Sequence, residues 1–179
     1  LSIIIPVYNG EDSLSVLFDE INRNINNKTL FEVIFINDGS TDNSKKNILK
    51  LIKNFPDKNI KLIDTPINRG KSESLYKGFK ICSVKIVITM DADLQDDPSE
   101  LNNFINLINE KYDMVSGWKK NRKDPFSKTI PSKIFNYILR LLTGIKLKDF
   151  NCGFKAYKIE VVKSLVLYGG LHRFIPVLV

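Results

Sequence analysis

The chain has 179 residues, of which 43% are apolar and 26% are charged, and its formal net charge is +7. This composition is typical of a folded domain and excludes a disordered or fibrous chain. No apolar run reaches the roughly 18 to 20 residues that span a bilayer, which excludes a transmembrane segment within this sequence. Two cysteines, Cys82 and Cys152, lack both the spacing of a metal site and the density of a disulfide scaffold, so we expect a reducing, cytoplasmic setting.

The positive charge is concentrated in one segment. Residues 119–148 contain nine Lys or Arg and one acidic residue, Asp124, whereas the rest of the chain is close to neutral. Such a patch predicts a localised anionic partner rather than a generally basic protein. The sequence starts on a predicted strand and stops within an apolar segment, so we expect it to be a fragment of a longer protein.

Strands and helices are predicted to alternate along the first two thirds of the chain. β-Branched apolar runs predict strands at residues 2–7, 32–36, 60–64, 84–90 and 113–117. Apolar residues at helical spacing predict helices between them; the first carries the stripe Leu14, Leu17, Phe18, Ile21 and Ile25. Four strands that alternate with helices indicate a parallel, doubly wound α/β layer.

The loops after the second and third strands carry polar and basic residues. Asp38 and Gly39 form a turn in the segment NDGSTD, where Asp42 or Ser40 can cap the next helix. The segment NRGKSES leads into a helix whose free N–H groups can face an anion, and Lys71 adds a positive charge there.

The segment MDADLQDDP follows the fourth predicted strand and offers oxygen ligands. In extended backbone, residues two apart point the same way, so Asp91, Asp93 and Gln95 are expected to face one spot. Carboxylate and amide oxygens without nearby His or Cys suit Mg²⁺ or Mn²⁺. The alternative is a polar turn without a ligand. Asp97, followed by Pro98, is predicted to cap the next helix.

The last third of the chain is basic and then amphipathic, and we expect it to be an appendix to the sheet. The apolar residues of this segment cluster at helical spacing over 134–142, which suits either contact with lipid or simple packing on the sheet. The basic residues suit either an anionic partner or a solvated surface. CGFKAYK predicts a strand, and residues 159–165 predict a short helix. Asp149 is either an acceptor-side carboxylate or a cap, and His172 is expected to be structural.

Taken in order, the motifs SIIIPVYN, INDGSTD, NRG, MDADLQDDP, VSGWKKNR and DFNCGFKAYK resemble the family-2 glycosyltransferases of GT-A fold. Within that family they look like the polyprenyl-phosphate branch, which includes dolichol-phosphate mannose synthases and undecaprenyl-phosphate sugar transferases. The resemblance implies an α/β, Rossmann-like and mostly parallel sheet with helices on both faces. It also implies one catalytic domain over residues 1–179, with a nucleotide-sugar and metal half at 1–117 and an acceptor half at 118–179.

The resemblance assigns roles to individual positions. Pro6, Tyr8 and Asp38 match positions that hold the base and ribose of the nucleotide, and Asn37, Lys71 and Ala92 are counted with them. Asp91, Asp93 and Gln95 match the positions for the metal and the diphosphate. The acceptor phosphate is assigned to Lys119, which also faces the donor phosphates, and to Arg122, Lys128 and Ser132.

This sequence departs from the family pattern at two positions. Gly10 stands where the family usually has an acid, with Glu11 following, so one nucleotide contact is expected to be shifted or missing. Asn37 replaces a frequent Asp, although its amide can still bond to the base.

The resulting hypothesis is a metal-dependent inverting transferase that moves a hexose from a UDP-glucose or GDP-mannose type donor to a polyprenyl phosphate. Asp91, Asp93 and Lys128 are its predicted catalytic residues. A phosphate acceptor is already ionised, with a second pKa of about 6, so it needs no general base. We expect the chain to contact the cytoplasmic face of a membrane through residues 119–148.

Other functions fit the same sequence features. A polysaccharide or protein acceptor, and a non-catalytic receiver-like α/β module, are the alternatives. No nucleic-acid partner is expected, because the basic segment lacks a recognisable motif with interleaved aromatic residues. The sequence does not indicate an oligomeric state.

Overall fold

The computed structural model describes residues 1–26, 29–119 and 126–179, apart from the side chains of residues 126–131 and 133. The strands are β1 (Ser2–Val7), β2 (Glu32–Asp38), β3 (Asn59–Thr65), β4 (Ile86–Thr89), β5 (Met114–Ser116) and β6 (Lys155–Lys158). The helices are α1 (Leu14–Asn24), α2 (Ser44–Asn54), α3 (Lys71–Ile81), α4 (Leu101–Glu110), α5 (Phe126–Thr143), α6 (Ile159–Ser164) and α7 (Ile175–Leu178). Two short 3₁₀ segments, Pro98–Glu100 and Leu171–Phe174, precede α4 and α7.

All six strands belong to one sheet in the order β3-β2-β1-β4-β6-β5. β1 to β4 pair in parallel, as predicted, whereas β6 pairs antiparallel with both β4 and β5. The expectation that the last third is an appendix to the sheet is therefore wrong. Periodicity predicts the β6 strand but not its partners, and β6 lies between β4 and β5 inside the sheet.

The core covers both faces of the sheet, because successive side chains of a strand point to opposite faces. In β1, Ile3 and Ile5 pack with α1, α2 and α4, and Ile4 packs on the other face with α3 and α6. The predicted stripe of α1 is buried throughout. Asp97 caps the helical segment before α4, as predicted: its Oδ1 accepts the N–H of Ser99 at 3.0 Å.

Helix α5 presents apolar side chains to solvent. It begins before the predicted amphipathic stretch, at Phe126, and ends at Thr143. Leu139 is buried, but Leu141 and Leu142 are 73% and 75% exposed. The Phe135 ring makes an edge contact with Phe174, at 5.4 Å between centroids, which fastens α5 to the end of the chain. Within the described ranges, no helix combines the length and apolar character needed to cross a bilayer.

Candidate active site

The loops after β1, β2 and β4 meet at the carboxyl-terminal edge of the sheet, where ligands bind in open α/β folds. Two pockets of about 440 and 260 Å³ open there, and Pro6, Tyr8 and Asp91 line both. Other predicted donor-site residues line one pocket each, Ala92 and Asp93 the larger and Asp38 and Lys71 the smaller. The fold therefore brings most of the predicted donor residues to one place, although their roles stay predictions.

Asp91 is the centre of the charged groups at this edge. Its carboxylate forms an ion pair with the Lys71 ammonium, and the Lys119 ammonium lies 3.8 Å from its Oδ2. Burial raises the pKa of Asp91, but the two lysines outweigh that effect and hold this pKa below its ordinary value. Asp91 is consequently a carboxylate that stays ionised although it is largely withdrawn from water.

The backbone after β4 forms a turn rather than an extension of the strand. β4 ends at Thr89, residues 92 and 93 are in a turn, and Leu94 has a φ of 59°. The Oδ1 atom of Asp93 accepts the N–H of Gln95 at 3.1 Å, which stabilises this turn. The prediction that residues two apart point the same way therefore rests on a wrong backbone assumption. Asp91 and Asp93 reach one pocket because the turn brings them there.

Gln95 faces a different pocket from the two aspartates. That third pocket, of about 650 Å³, lies beside α4 and β5, and Trp118 and Lys119 also line it. Asp91 and Asp93 do not line it. The arrangement thus separates the predicted metal ligands into a pair of carboxylates that line one pocket and an amide that lines another, with the turn at Leu94 between them.

Asp38 and Asn37, which are predicted to contact the nucleotide, are buried and hydrogen-bonded within the protein. The Asp38 carboxylate accepts the N–H groups of Arg69 and Gly70 at 3.0 and 2.7 Å, and so shapes the NRG loop. The Asn37 amide donates to Asp64 at 2.7 Å. These contacts order the walls of the smaller pocket, whereas direct contact of either residue with a nucleotide stays a prediction.

The loops after β1 and β2 are joined by hydrogen bonds that involve the residues next to Gly10. Asp42 accepts the N–H of Ser44, the first residue of α2, at 2.9 Å and the N–H of Glu11 at 3.0 Å, so it ties the two loops together. Glu11 in turn accepts the N–H of Asn43 at 2.8 Å. The acid that follows Gly10 therefore serves the start of α2 in this structure.

Gly153 and Lys155 form the support behind Asp91, and the sequence prediction assigned a role to neither. A Cβ atom at Gly153 would overlap both carboxylate oxygens of Asp91, so the Asp91 carboxylate keeps its present position only beside a glycine. Lys155 is 3% exposed, and its ammonium donates to the Cys152 carbonyl. Burial lowers the pKa of Lys155 to about 8. The only sequence signal for these residues is the GFK of the β6 motif.

Asp96 is a further buried carboxylate that the sequence prediction did not use. It lies among the four acids of MDADLQDDP, but spacing cannot assign it a face in a turn. Its Oδ2 accepts the Asp91 N–H at 2.9 Å, and its Oδ1 lies 3.1 Å from the Lys119 ammonium. Burial and the charge of Asp91 raise the pKa of Asp96 above its ordinary value, although Lys119 opposes that change.

The predicted acceptor residues are described in part. Lys119 lies between Asp91 and Asp96, with burial lowering its pKa but the surrounding carboxylates raising it above the ordinary value. Ser132 is on α5, with its hydroxyl 3.5 Å from the Asn151 amide. Arg122 lies outside the described residues, and so does the side chain of Lys128. The acceptor assignments stay predictions.

Two residues with open roles take part in local structure. Asp149 accepts the N–H of Asn151 at 3.0 Å in a local turn that leads to β6, so it does not cap a helix. The His172 ring pairs with the Ser72 hydroxyl through Nδ1 at 2.8 Å, and burial together with the charge of Lys71 lowers its pKa to about 4. A neutral ring that holds the segment before α7 against α3 suits a structural role.

The oxygen donors at the edge pocket of about 440 Å³, which Asp91 and Asp93 line, fit a hard divalent cation. The described part of the chain contains no group of three or more His, Cys, Asp or Glu side chains able to hold a metal ion. Asp91 and Asp93 would therefore supply carboxylates while water and a substrate's phosphates complete the shell, as is usual for Mg²⁺. Asp93 is exposed at the pocket, and Asp91 is ionised, so both meet the chemical requirement.

The mostly parallel six-stranded sheet with helices on both faces is the GT-A fold of glycosyltransferases. The family model described as "Glycosyl transferase family 2" matches residues 2–166, so the chain belongs to that family. This result confirms the predicted fold and family, and it excludes the receiver-like alternative.

The chain is also similar to curated proteins whose names include a polyprenyl phosphate. The chain is 32% identical to a dodecaprenyl-phosphate galacturonate synthase of Rhizobium johnstonii, over 98% of the chain and 53% of the relative. It is 34% identical to an undecaprenyl-phosphate 4-deoxy-4-formamido-L-arabinose transferase of Yersinia pestis, over 99% and 54%. The chain thus spans about half the length of the curated relatives it matches.

A solved structure shares the fold at lower identity. The mannosyltransferase PcManGT of Pyrobaculum calidifontis, solved in complex with GDP-Man and Mn²⁺, superposes with a TM-score of 0.68 and 21% identity. The match covers 94% of this chain and 47% of the mannosyltransferase. At this identity the likeness bears on the fold.

Proposed function

We propose that this chain is the catalytic domain of an inverting transferase that moves a sugar from a nucleoside diphosphate sugar to a polyprenyl phosphate. The observation that carries the proposal is the ionised Asp91, held between Lys71 and Lys119 where the two edge pockets meet. Both curated relatives named above carry a polyprenyl phosphate in their names, which supports this acceptor. UDP-glucose and GDP-mannose are the donor types to test first.

The charged groups suit the departure of a nucleoside diphosphate. Negative charge develops on the leaving diphosphate, and fixed positive charges in a partly dry site stabilise it. Lys71 and Lys119 are the described cations at this position. Mg²⁺ or Mn²⁺, held by Asp91 and Asp93, would supply Lewis-acid neutralisation of the diphosphate. The Mn²⁺ in the mannosyltransferase complex supports the choice of ion.

An inverting displacement suits this site because an acceptor phosphate is itself the nucleophile. A phosphate monoester with a second pKa of about 6 is ionised near pH 7 and attacks the anomeric carbon once it is positioned. Lys119, which lies beside Asp91, is our first candidate to attract the acceptor phosphate, and Lys128, Arg122 and Ser132 are the further candidates. We assign no general base, since this attack requires none.

A membrane surface is the proposed location of the acceptor. The basic residues of 119–148 would be attracted to anionic lipid, and the exposed leucines of α5 would enter the headgroup region. We propose that this surface faces the cytoplasm. Nucleotide sugars are available there, and two free cysteines suit a reducing compartment.

Nucleotide binding and sugar transfer test the proposal in two steps. Titration with UDP and GDP, with Mn²⁺ or with a chelator, should give one preferred nucleotide whose affinity requires the ion. In Asp91→Asn, Mn²⁺ should no longer raise the nucleotide affinity above the value with the chelator. In Asp57→Asn, at an exposed loop position, Mn²⁺ should raise the affinity as in the wild type. Labelled nucleotide sugars are then offered with short prenyl phosphates. A sugar-linked prenyl phosphate supports the proposal, whereas transfer only to a polysaccharide or a protein would overturn the acceptor.

A further inference from the structure

Asp96 connects two groups of the candidate site, the backbone of Asp91 and the side chain of Lys119. It is 6% exposed and lies at the end of the turn after β4. One carboxylate oxygen accepts the Asp91 N–H at 2.9 Å, and the other lies 3.1 Å from the Lys119 ammonium. Asp96 therefore contacts the backbone of the central carboxylate and the side chain of the nearby cation at the same time.

These contacts restrain the turn after β4 together with the hydrogen bond from the Gln95 N–H to Asp93. Leu94 has a positive φ, which side chains other than glycine adopt at a cost, and its side chain is exposed. The hydrogen bond from Asp91 to Asp96 closes the turn across five residues. The ion pair orients the Lys119 ammonium, which lies 3.8 Å from Asp91 Oδ2. Loss of Asp96 would release the Asp91 backbone and the Lys119 side chain together.

We propose that Asp96 is a positioning residue of the active site. It fixes the backbone of Asp91, so that the Asp91 carboxylate faces the edge pocket of about 440 Å³. It also holds Lys119 beside that carboxylate. The inference rests on the proposed function, because its consequence is tighter binding of a nucleoside diphosphate with a divalent ion. Asp96 itself touches neither ligand; it acts through Asp91 and Lys119.

Asp97 offers a matched control one residue further along. It caps the helical segment before α4 through a hydrogen bond to Ser99, and Asn caps helices about as well as Asp. Asp97→Asn thus removes a charge from the same loop and keeps the local structure. Asp96→Asn keeps an acceptor for the Asp91 N–H and removes the charge beside Lys119, whereas Asp96→Ala removes both.

Hydrogen exchange tests the positioning role without any ligand. In Asp96→Ala, the Asp91 amide should exchange about tenfold faster or more, because its hydrogen-bond acceptor is lost. Asp96→Asn and Asp97→Asn should stay within about threefold of the wild type at that amide. Unchanged exchange in Asp96→Ala would overturn the proposal.

Nucleotide affinity tests the consequence for the site. With Mn²⁺, Asp96→Ala should bind the preferred nucleoside diphosphate about 10- to 100-fold more weakly, the usual effect of removing a group that orients a metal ligand. With a chelator present, the loss of affinity should shrink to the part that acts through Lys119. The double variant with Asp96→Asn and Lys119→Met should lose less nucleotide affinity than the product of the two single fold-losses. The reason is that Asp96→Asn acts partly through Lys119.

The outcomes separate the two claims. If the wild type binds neither UDP nor GDP in an ion-dependent way, the proposed function fails and the positioning role fails with it. If the wild type binds but Asp96→Ala binds equally well, only the positioning role fails. An equal loss of affinity with and without Mn²⁺, shared by Asp97→Asn, would show a general effect on the loop and would also overturn it.

Discussion

Gly153 determines how closely β6 approaches the Asp91 carboxylate. The Thr89 hydroxyl donates to the Gly153 carbonyl at 2.7 Å, which fixes this backbone beside the end of β4. A methyl group at Gly153 would overlap both Asp91 oxygens, so either the carboxylate or the strand has to move. Displacing a catalytic group by about 1 Å can cost on the order of 100-fold in rate.

Gly153→Ala should therefore reduce transferase activity by about 100-fold while costing about 1 to 3 kcal/mol of stability through overpacking. The control is Gly170→Ala, because Gly170 has a negative φ and open space where the Cβ would be. Initial rates and thermal unfolding of both variants check the prediction. Full activity in Gly153→Ala would mean that the Asp91 carboxylate does not need its present position.

The buried Lys155 should make stability depend on pH in a defined window. Burial lowers its pKa from 10.5 to about 8, so between these values the unfolded chain holds a proton that the folded chain has released. Stability then rises with pH, by up to about 1.4 kcal/mol per unit, because the unfolded state binds more protons. Below pH 8 the folded protein bears the full cost of the buried charge.

Lys155→Met removes this cost, so the variant should be more stable than the wild type near pH 7. Its advantage should shrink as the pH rises from about 8 towards 10.5, where the wild-type lysine becomes neutral on folding. Urea unfolding of both proteins under reducing conditions measures the difference, with Lys50→Met as a control for loss of an exposed lysine. An advantage that does not change over this window would contradict the assignment.

Among the elements, α5 has an exposed apolar face that its packing in the described fold does not explain. Leu141 and Leu142 are 73% and 75% exposed, while Leu139 on the same helix is buried. Replacing the two exposed leucines with serine should leave the unfolding free energy unchanged. The same change should weaken binding to vesicles of anionic phospholipid by about tenfold or more, because apolar side chains contribute about 1.5 to 3 kcal/mol each when fully buried.

Co-sedimentation with vesicles measures that effect. Leu30→Ser is the matched control, because Leu30 is 91% exposed and lies outside the basic segment. If the double variant of α5 binds vesicles like the wild type, the helix does not contact lipid. A fall in unfolding free energy of about 2 kcal/mol would instead mean that the leucines pack within the protein.

Local elements were predictable because local periodicity encodes them. The apolar runs of β1 to β3 and the apolar stripe of α1 reflect burial of one or both faces of each element. The spacing of apolar residues in the sequence indicates this burial. The turn after β4 was not predictable, since Leu94 takes a left-handed conformation that apolar periodicity does not encode. The separation of Gln95 from the two aspartates follows from that turn. The role of Gly153 was hidden because it depends on a strand pairing.

At the scale of the whole molecule, β6 makes the two predicted halves interdependent. It pairs with β4 through residues 86–89 and with β5 through residues 114–116, and it contributes Ala156 and Tyr157 to opposite faces of the core. A chain cut after residue 117 would lose the strand that joins β5 to the rest of the sheet. The nucleotide half and the acceptor half are therefore not expected to fold separately.

A chain that ends at residue 150 tests this dependence. It lacks β6, so the hydrogen-bonding edge of β4 and the apolar side chains beneath it would be exposed, and aggregation or loss of cooperative unfolding is expected. The control is the full chain with two glycines inserted between Gly169 and Gly170, where an exposed turn should accept them. Near-ultraviolet circular dichroism and urea unfolding distinguish the cases. Cooperative unfolding of the truncated chain with a wild-type midpoint would mean that β6 adds nothing to the sheet, contrary to its position between β4 and β5.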